Sequence, residues 1–277
     1  MRIHLAAIWL WALTAWLPLP LMAQGSVPQS LDDLQSCKQQ ADRPGVVDPP
    51  VDLQQHSVLN PALWDQDRLK PAVANQLLAI ASAWQRDAQI PDAFVRDVVL
   101  VGGNANFNYT SRSDIDVHLV IERDRLGSPR SLVDEYLTLK KNSWSNSRLI
   151  RVTGRQVELF AEDISEERPT GQGVYSLSRQ RWLVAPQQVA VDYGDPSLKR
   201  QVGRYRRTIA CLIQSDASEA AFRALRAELR ALRQEGLKRG GEYDRSNLVF
   251  KALRNSGDLD AMTRFQQARM DRKLSLE

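Results

Sequence analysis

The 277-residue chain is 43% hydrophobic and 25% charged with a net charge of +4, which suits one large domain or two modest ones and excludes a mostly disordered chain. Two cysteines exclude a multi-disulfide framework, and the absence of any CxxC or Cys/His cluster excludes a zinc ribbon or finger. Charge is uneven: residues 196–277 hold 18 Lys+Arg against 10 Asp+Glu, a local +8 that leaves the remainder at −4. A basic half beside an acidic half suits a site that holds an anion, although a solvated basic helical surface has the same composition.

Arg2, the apolar run over residues 5–17, Pro18, Pro20 and Leu21-Met22-Ala23 follow the order of a secretory signal. The pattern predicts a signal peptide over 1–23, cleavage near Ala23, export to the periplasm and no stable membrane insertion afterwards. The alternative is a membrane anchor retained at the N-terminus. Residues 24–57 are rich in Gln, Pro and Asp and predict a linker or irregular arm. Cys37 lies in that arm and Cys211 in an apolar helical stretch, so one disulfide and a buried free thiol at Cys211 both stand open.

Leu69, Val73, Leu77, Ile80 and Trp84 recur at steps of three or four and predict an amphipathic helix. Residues 98–101 form a short apolar strand stopped by Gly102-Gly103, and 115–121 form a second strand. A helix is expected over 132–144, then a hairpin of 149–152 with 156–160 around Thr153-Gly154, and a smaller hairpin of 174–177 with 182–184. Beyond Pro196 the pattern is helical throughout. One helix sets Phe222, Leu225, Leu229 and Leu232 on a stripe, with Arg223, Arg226, Arg230 and Arg233 one position over. The expected architecture is α+β: a small mixed sheet flanked by helices over 58–190, then a helical domain over 191–277.

Chemistry concentrates around Asp114-Ile115-Asp116-Val117. Residues i and i+2 of a strand share a face, so two carboxylates stand side by side. Held that close they repel unless a cation bridges them. Hard oxygen ligands suit Mg²⁺, with Mn²⁺ as a substitute, completed by substrate phosphates. Glu158, flanked by strand-like Val157 and Leu159, supplies a third acid, and metal ligation removes the cost of placing it there. Gly102 and Gly103 let backbone approach a triphosphate, with Asn104, Arg112 and Ser113 as further nucleotide-side candidates. His118 shares the Asp116 face, where a hydrogen-bonded strand histidine is the plainer expectation. Among the basic residues, Arg204, Arg206 and Arg207 are expected to meet phosphate ahead of the 223–233 stripe.

The run Val101-Gly102-Gly103, Asp114-Ile115-Asp116-Val117 and Val157-Glu158-Leu159 resembles the signature of the DNA polymerase beta-type nucleotidyltransferases. Asn60-Pro61-Ala62-Leu63-Trp64-Asp65, Leu69-Lys70-Pro71, residues 103–108, residues 170–177, Gly240-Gly241-Glu242-Tyr243 and Asn247-Leu248-Val249-Phe250-Lys251 resemble a group of predicted phage and bacterial nucleotidyltransferases. The resemblance spans roughly Asn60 to the end. It implies that Asp114 and Asp116 bind two ions, that Glu158 positions the ion on the nucleophile side, and that Gly102 and Gly103 meet the phosphates. The implied reaction moves a nucleoside monophosphate from a nucleoside triphosphate to a hydroxyl on a small molecule, a protein or an RNA end. Gly103 stands where the superfamily often has serine, which leaves backbone N–H groups alone for that contact. Two other readings compete: a nucleotide- or RNA-binding module without turnover, and an exported interaction protein.

Overall fold

The computed structural model describes residues 29–43, 48 and 50–276, so the expected signal segment lies outside the described residues. Within them the chain is a mixed α/β structure with a six-stranded sheet and seven helices.

The first helix, α1 (Gln29–Ala41), falls where a linker or irregular arm is expected. That expectation is corrected: Leu34, Cys37 and Ala41 recur at steps of three and four, and all three are buried. A short hairpin, β1 (Trp64–Asp65) with β2 (Arg68–Leu69), leads into α2 (Pro71–Asp87). Proline at its first turn suits α2, because the missing N–H would be unpaired there anyway. The buried face of α2 is Val73, Leu77, Ile80 and Trp84.

The sheet runs β5-β6-β4-β3-β7-β8. Its members are β3 (Val95–Val101), β4 (Ile115–Ile121), β5 (Arg151–Val152), β6 (Arg155–Asp163), β7 (Val174–Ser176) and β8 (Arg181–Val184). Strands β4 and β6 are parallel, connected through α3 (Arg130–Ser147), and the other pairings are antiparallel. Ile115, Val117, Leu119 and Ile121 point into the core with α2 and are 0% exposed. Each contributes about 1.5–3 kcal/mol relative to exposure. A slip of one residue would turn all four to the other face and drive Asp116 into the core, so burial fixes the register.

Four helices follow: α4 (Pro196–Gln214), α5 (Glu219–Gly240), α6 (Arg245–Asn255) and α7 (Asp258–Leu274). Asp195, Ser218 and Asp244 cap the first three, each accepting from a backbone N–H in the first turn. Phe222, Leu225 and Leu229 of α5 are buried as the stripe predicts. They form a second core with α4, α6 and α1. A Cys37–Cys211 disulfide joins α1 to α4 with a Cα–Cα distance of 5.6 Å, so Cys211 is not a free thiol. Among the described residues no helix is long and apolar enough to cross a membrane.

Candidate active site

Two faces of the sheet have opposite characters. On the face away from α2, the β4/β6 register pairs Asp116 with Glu158, His118 with Phe160 and Val120 with Glu162. On the β3 side, Val101 stands opposite Asp116. The three expected carboxylates therefore gather at one end of one face, with Asp114 just before β4.

Gly102 shows why the turn after β3 takes glycine. Its φ is +75°, and a Cβ there would stand 1.9 Å from Asp116 Oδ2. The Asp116 carboxylate occupies the space where any other residue would place its side chain. Gly102→Ala should therefore displace Asp116 and cost about 1–3 kcal/mol of stability through the positive φ. A variant with wild-type melting temperature and wild-type metal response would refute that account.

Asn104, expected to meet nucleotide, has another task. It is 0% exposed. Its Nδ2 donates to the Asp114 carbonyl at 2.7 Å and to the Ser113 carbonyl at 3.1 Å. Its Oδ1 accepts from Asn60, and its carbonyl accepts from Trp64 Nε1 at 2.7 Å. Asn104 thus positions Asp114 and is corrected to a structural role. Ser113 is buried, its Oγ accepting from Thr110 N–H at 2.8 Å, so it steadies the turn rather than a phosphate. Arg112 donates to the Asn255 carbonyl at 2.6 Å, which ties the loop to α6. Gly103 has room for a small side chain, since a Cβ there would meet Ser113 Oγ at 3.3 Å.

Neither the Asp114 nor the Asp116 carboxylate forms an ion pair or accepts a hydrogen bond from a side chain among the described residues. Burial, then the charges of Glu158 and Asp116, raise Asp114 to about 6. Burial likewise raises Asp116, opposed by His118 and Arg254. Glu158 differs: Lys141 Nζ lies 3.9 Å from its Oε2 and 3.3 Å from the centre of the Phe160 ring. Burial lowers the Lys141 ammonium, opposed by Glu158 and Asp116. Among the described residues no three His, Cys, Asp or Glu side chains converge as a ready ion cage. Two unpaired hard-oxygen donors fit a Mg²⁺ ion that takes one or two carboxylates and completes its shell with phosphates and water.

The basic residues facing this site come from α5 and α6. Arg254 lies within electrostatic reach of Asp114 and Asp116, and Lys251 and Arg233 within reach of Asp116. Lys251 pairs with Glu242. Arg233 and Arg254 are exposed and have no ion-pair or hydrogen-bond partner among the described residues. Arg233 lies 4.9 Å from the centre of the Phe250 ring; crowding by protein and the neighbouring Arg254 lower its pKa. The expectation for Arg204, Arg206 and Arg207 is corrected: they pair with Asp42, Asp258 and Asp48 at 2.9, 3.1 and 2.9 Å. Sequence proximity to the core misdirected that choice, because α6 folds back to the carboxylates while this part of α4 faces α1 and α7.

No family model matches this chain. No curated protein matches it. Among solved structures, a STING-associated CdnE c-di-GMP synthase from Capnocytophaga granulosa matches at 13% identity, covering 75% of this chain and 85% of that one. Its TM-score is 0.20, a likeness too slight to carry an argument about fold or function.

Proposed function

We propose that this chain is a metal-dependent nucleotidyltransferase that moves a nucleoside monophosphate from a nucleoside triphosphate to a hydroxyl acceptor. The observation that carries this reading is the register pair Asp116 and Glu158, with unpaired Asp114 beside them and unpaired Arg233 and Arg254 opposite. Asp114 and Asp116 would hold Mg²⁺, or Mn²⁺ in its place. The ions would supply Lewis-acid polarisation of the phosphoryl oxygens. Arg233 and Arg254 offer guanidinium forks to the triphosphate. Glu158 releases Lys141 and adds the third carboxylate on the acceptor side. The acceptor oxygen bonds to the α-phosphorus as the bond to the bridging oxygen breaks. Pyrophosphate leaves with that electron pair, and the hydroxyl proton passes through the Glu158 carboxylate to solvent.

Calorimetry with each nucleoside triphosphate tests the reading. Affinity should rise with Mg²⁺ or Mn²⁺, and equal affinity with and without metal would sink it. Replacing Arg233 and Arg254 together by glutamine should weaken triphosphate binding by about 1–3 kcal/mol, roughly 10- to 100-fold in Kd. Arg223→Gln should leave it unchanged, because that arginine is exposed and pairs with Glu219 one turn away.

The Glu158–Lys141 pair favours a second reading, a nucleotide-binding module without turnover. Pyrophosphate release in the presence of acceptor-containing cell extract separates the two. We also propose export. The leader-like pattern of residues 1–23 and the Cys37–Cys211 disulfide both suit an oxidising compartment. Protein recovered from cells should begin near Gln24, and an intact Met1 form in the cytosol would overturn it.

A further inference from the structure

Beyond the carboxylates, the same face of the sheet continues past His118 and Phe160 to Val120, Glu162 and Asp97. There Arg96, Asp97, Glu162, Arg168, Arg179 and Leu183 surround much of a cavity of about 170 Å³. Two buried polar atoms in its lining have no hydrogen-bond partner, Asp97 Oδ2 and Arg168 Nε. The Asp97 side chain is only 6% exposed.

Other polar atoms of these residues are already paired. Asp97 Oδ1 accepts from Val98 N–H and from Ser176 Oγ, both at 2.8 Å. Arg179 Nε lies 3.5 Å from Asp97 Oδ2, an ion pair that lacks hydrogen-bond geometry. One Arg168 terminal nitrogen pairs with Glu162 Oε1 at 2.7 Å. Glu162 Oε2 meets His118 Nδ1 at 2.8 Å. Besides the guanidinium groups of Arg96 and Arg179, which are partly exposed, the cavity holds one negatively charged acceptor and one donor without hydrogen-bond partners. Buried polar groups are rarely left unpaired, so such a combination marks a place for a ligand.

Resting on the nucleotidyl-transfer reading, we propose that this cavity is the acceptor subsite. It receives the head of a small polar molecule that presents an amino-type donor beside an acceptor atom. The acceptor's hydroxyl then lies at Asp116 and Glu158. Val120 lies four residue steps along the strand from Asp116, a span of roughly 13 Å before side chains lean inward. Midway stand the His118 and Phe160 rings, 4.9 Å apart between centroids and tilted by 47° to each other. The donor–acceptor order is the discriminating feature, because Asp97 can only accept and Arg168 only donate.

Nucleosides make suitable probes, since adenosine and inosine, or cytidine and uridine, differ chiefly in that order. Their binding to the full chain is measured by calorimetry. The amino member of each pair should bind about tenfold tighter. Asp97→Asn keeps the Oδ1 contacts, turns Oδ2 into a donor and should abolish the preference, because Arg168 Nε still donates. Arg168→Lys keeps a cation beside Glu162, loses Nε and should weaken both amino members. Equal binding within each pair by the wild type, or an amino preference that survives Asp97→Asn, overturns the subsite. Metal-dependent triphosphate binding is measured on the same proteins. Its absence from the wild type overturns the transferase reading, and with it the acceptor role. Its presence without an amino preference overturns the subsite alone.

Discussion

Asp116→Asn is expected to lower nucleotidyl-transfer turnover by at least about 10³-fold, because it removes a ligand from the ions that stabilise phosphoryl charge. The same change should make the metal-free protein more stable at neutral pH. Burial raises the Asp116 carboxyl, and Asp114 beside it is raised to about 6. A carboxyl whose folded pKa exceeds its unfolded value, about 3.9, favours the folded state while protonated. That contribution is fully present below the unfolded value and is lost as pH rises through the folded one. The metal-free wild type should therefore lose stability between about pH 4 and 6.5, and Mg²⁺ should restore it at the upper end. Asp116→Asn should flatten part of that fall. Melting curves at both pH values with and without Mg²⁺ check this. An unchanged pH slope and Mg²⁺ response in the variant would remove Asp116 from the metal site.

The second large effect is expected at the disulfide. Cys37 and Cys211 are 174 residues apart, so their bond removes much of the unfolded chain's freedom. Replacing both by serine should cost about 2–5 kcal/mol and lower the melting temperature by roughly 5–15 °C. Wild-type protein treated with reductant should melt with the double variant. A double variant that melts with oxidised wild type would show that α1 is held by its apolar contacts alone. Turnover below the melting range should change little, since both cysteines belong to the second core.

Much of the sheet was legible in the sequence because its signal is local. Residues 115–119 alternate strictly, and the same alternation places Asp116 and His118 on the open face. Glu158 was found because an acid between Val157 and Leu159 is anomalous in a strand, and the parallel register sets it opposite Asp116. Helix α1 was missed because its stripe is one residue wide among Gln, Asp and Lys, and it is held by partners more than 150 residues away. Arg233 and Arg254 were missed for a related reason. Nothing local separates them from the other arginines; only the packing of α5 and α6 decides which guanidiniums look at the carboxylates. Asn104 was misassigned because a polar residue after a glycine turn reads alike whether its amide faces a ligand or a buried carbonyl.

The seating of α1 in the second core also sets an order of events during synthesis. The helix emerges from the ribosome early, yet the surfaces that bury Leu34 and Cys37 lie on α4 and α5, complete only after residue 240. At about 5–20 residues per second the helix waits on the order of 10–40 s for its partners. Isolated helices of this length are marginal in water, so α1 gains its helical form on docking rather than before it. The sheet, whose strands lie within residues 95–184, closes without it. Folding of the helical core is thus a late, long-range event, and a chain halted before Cys211 would present Cys37 as an unpaired thiol to any other such chain nearby.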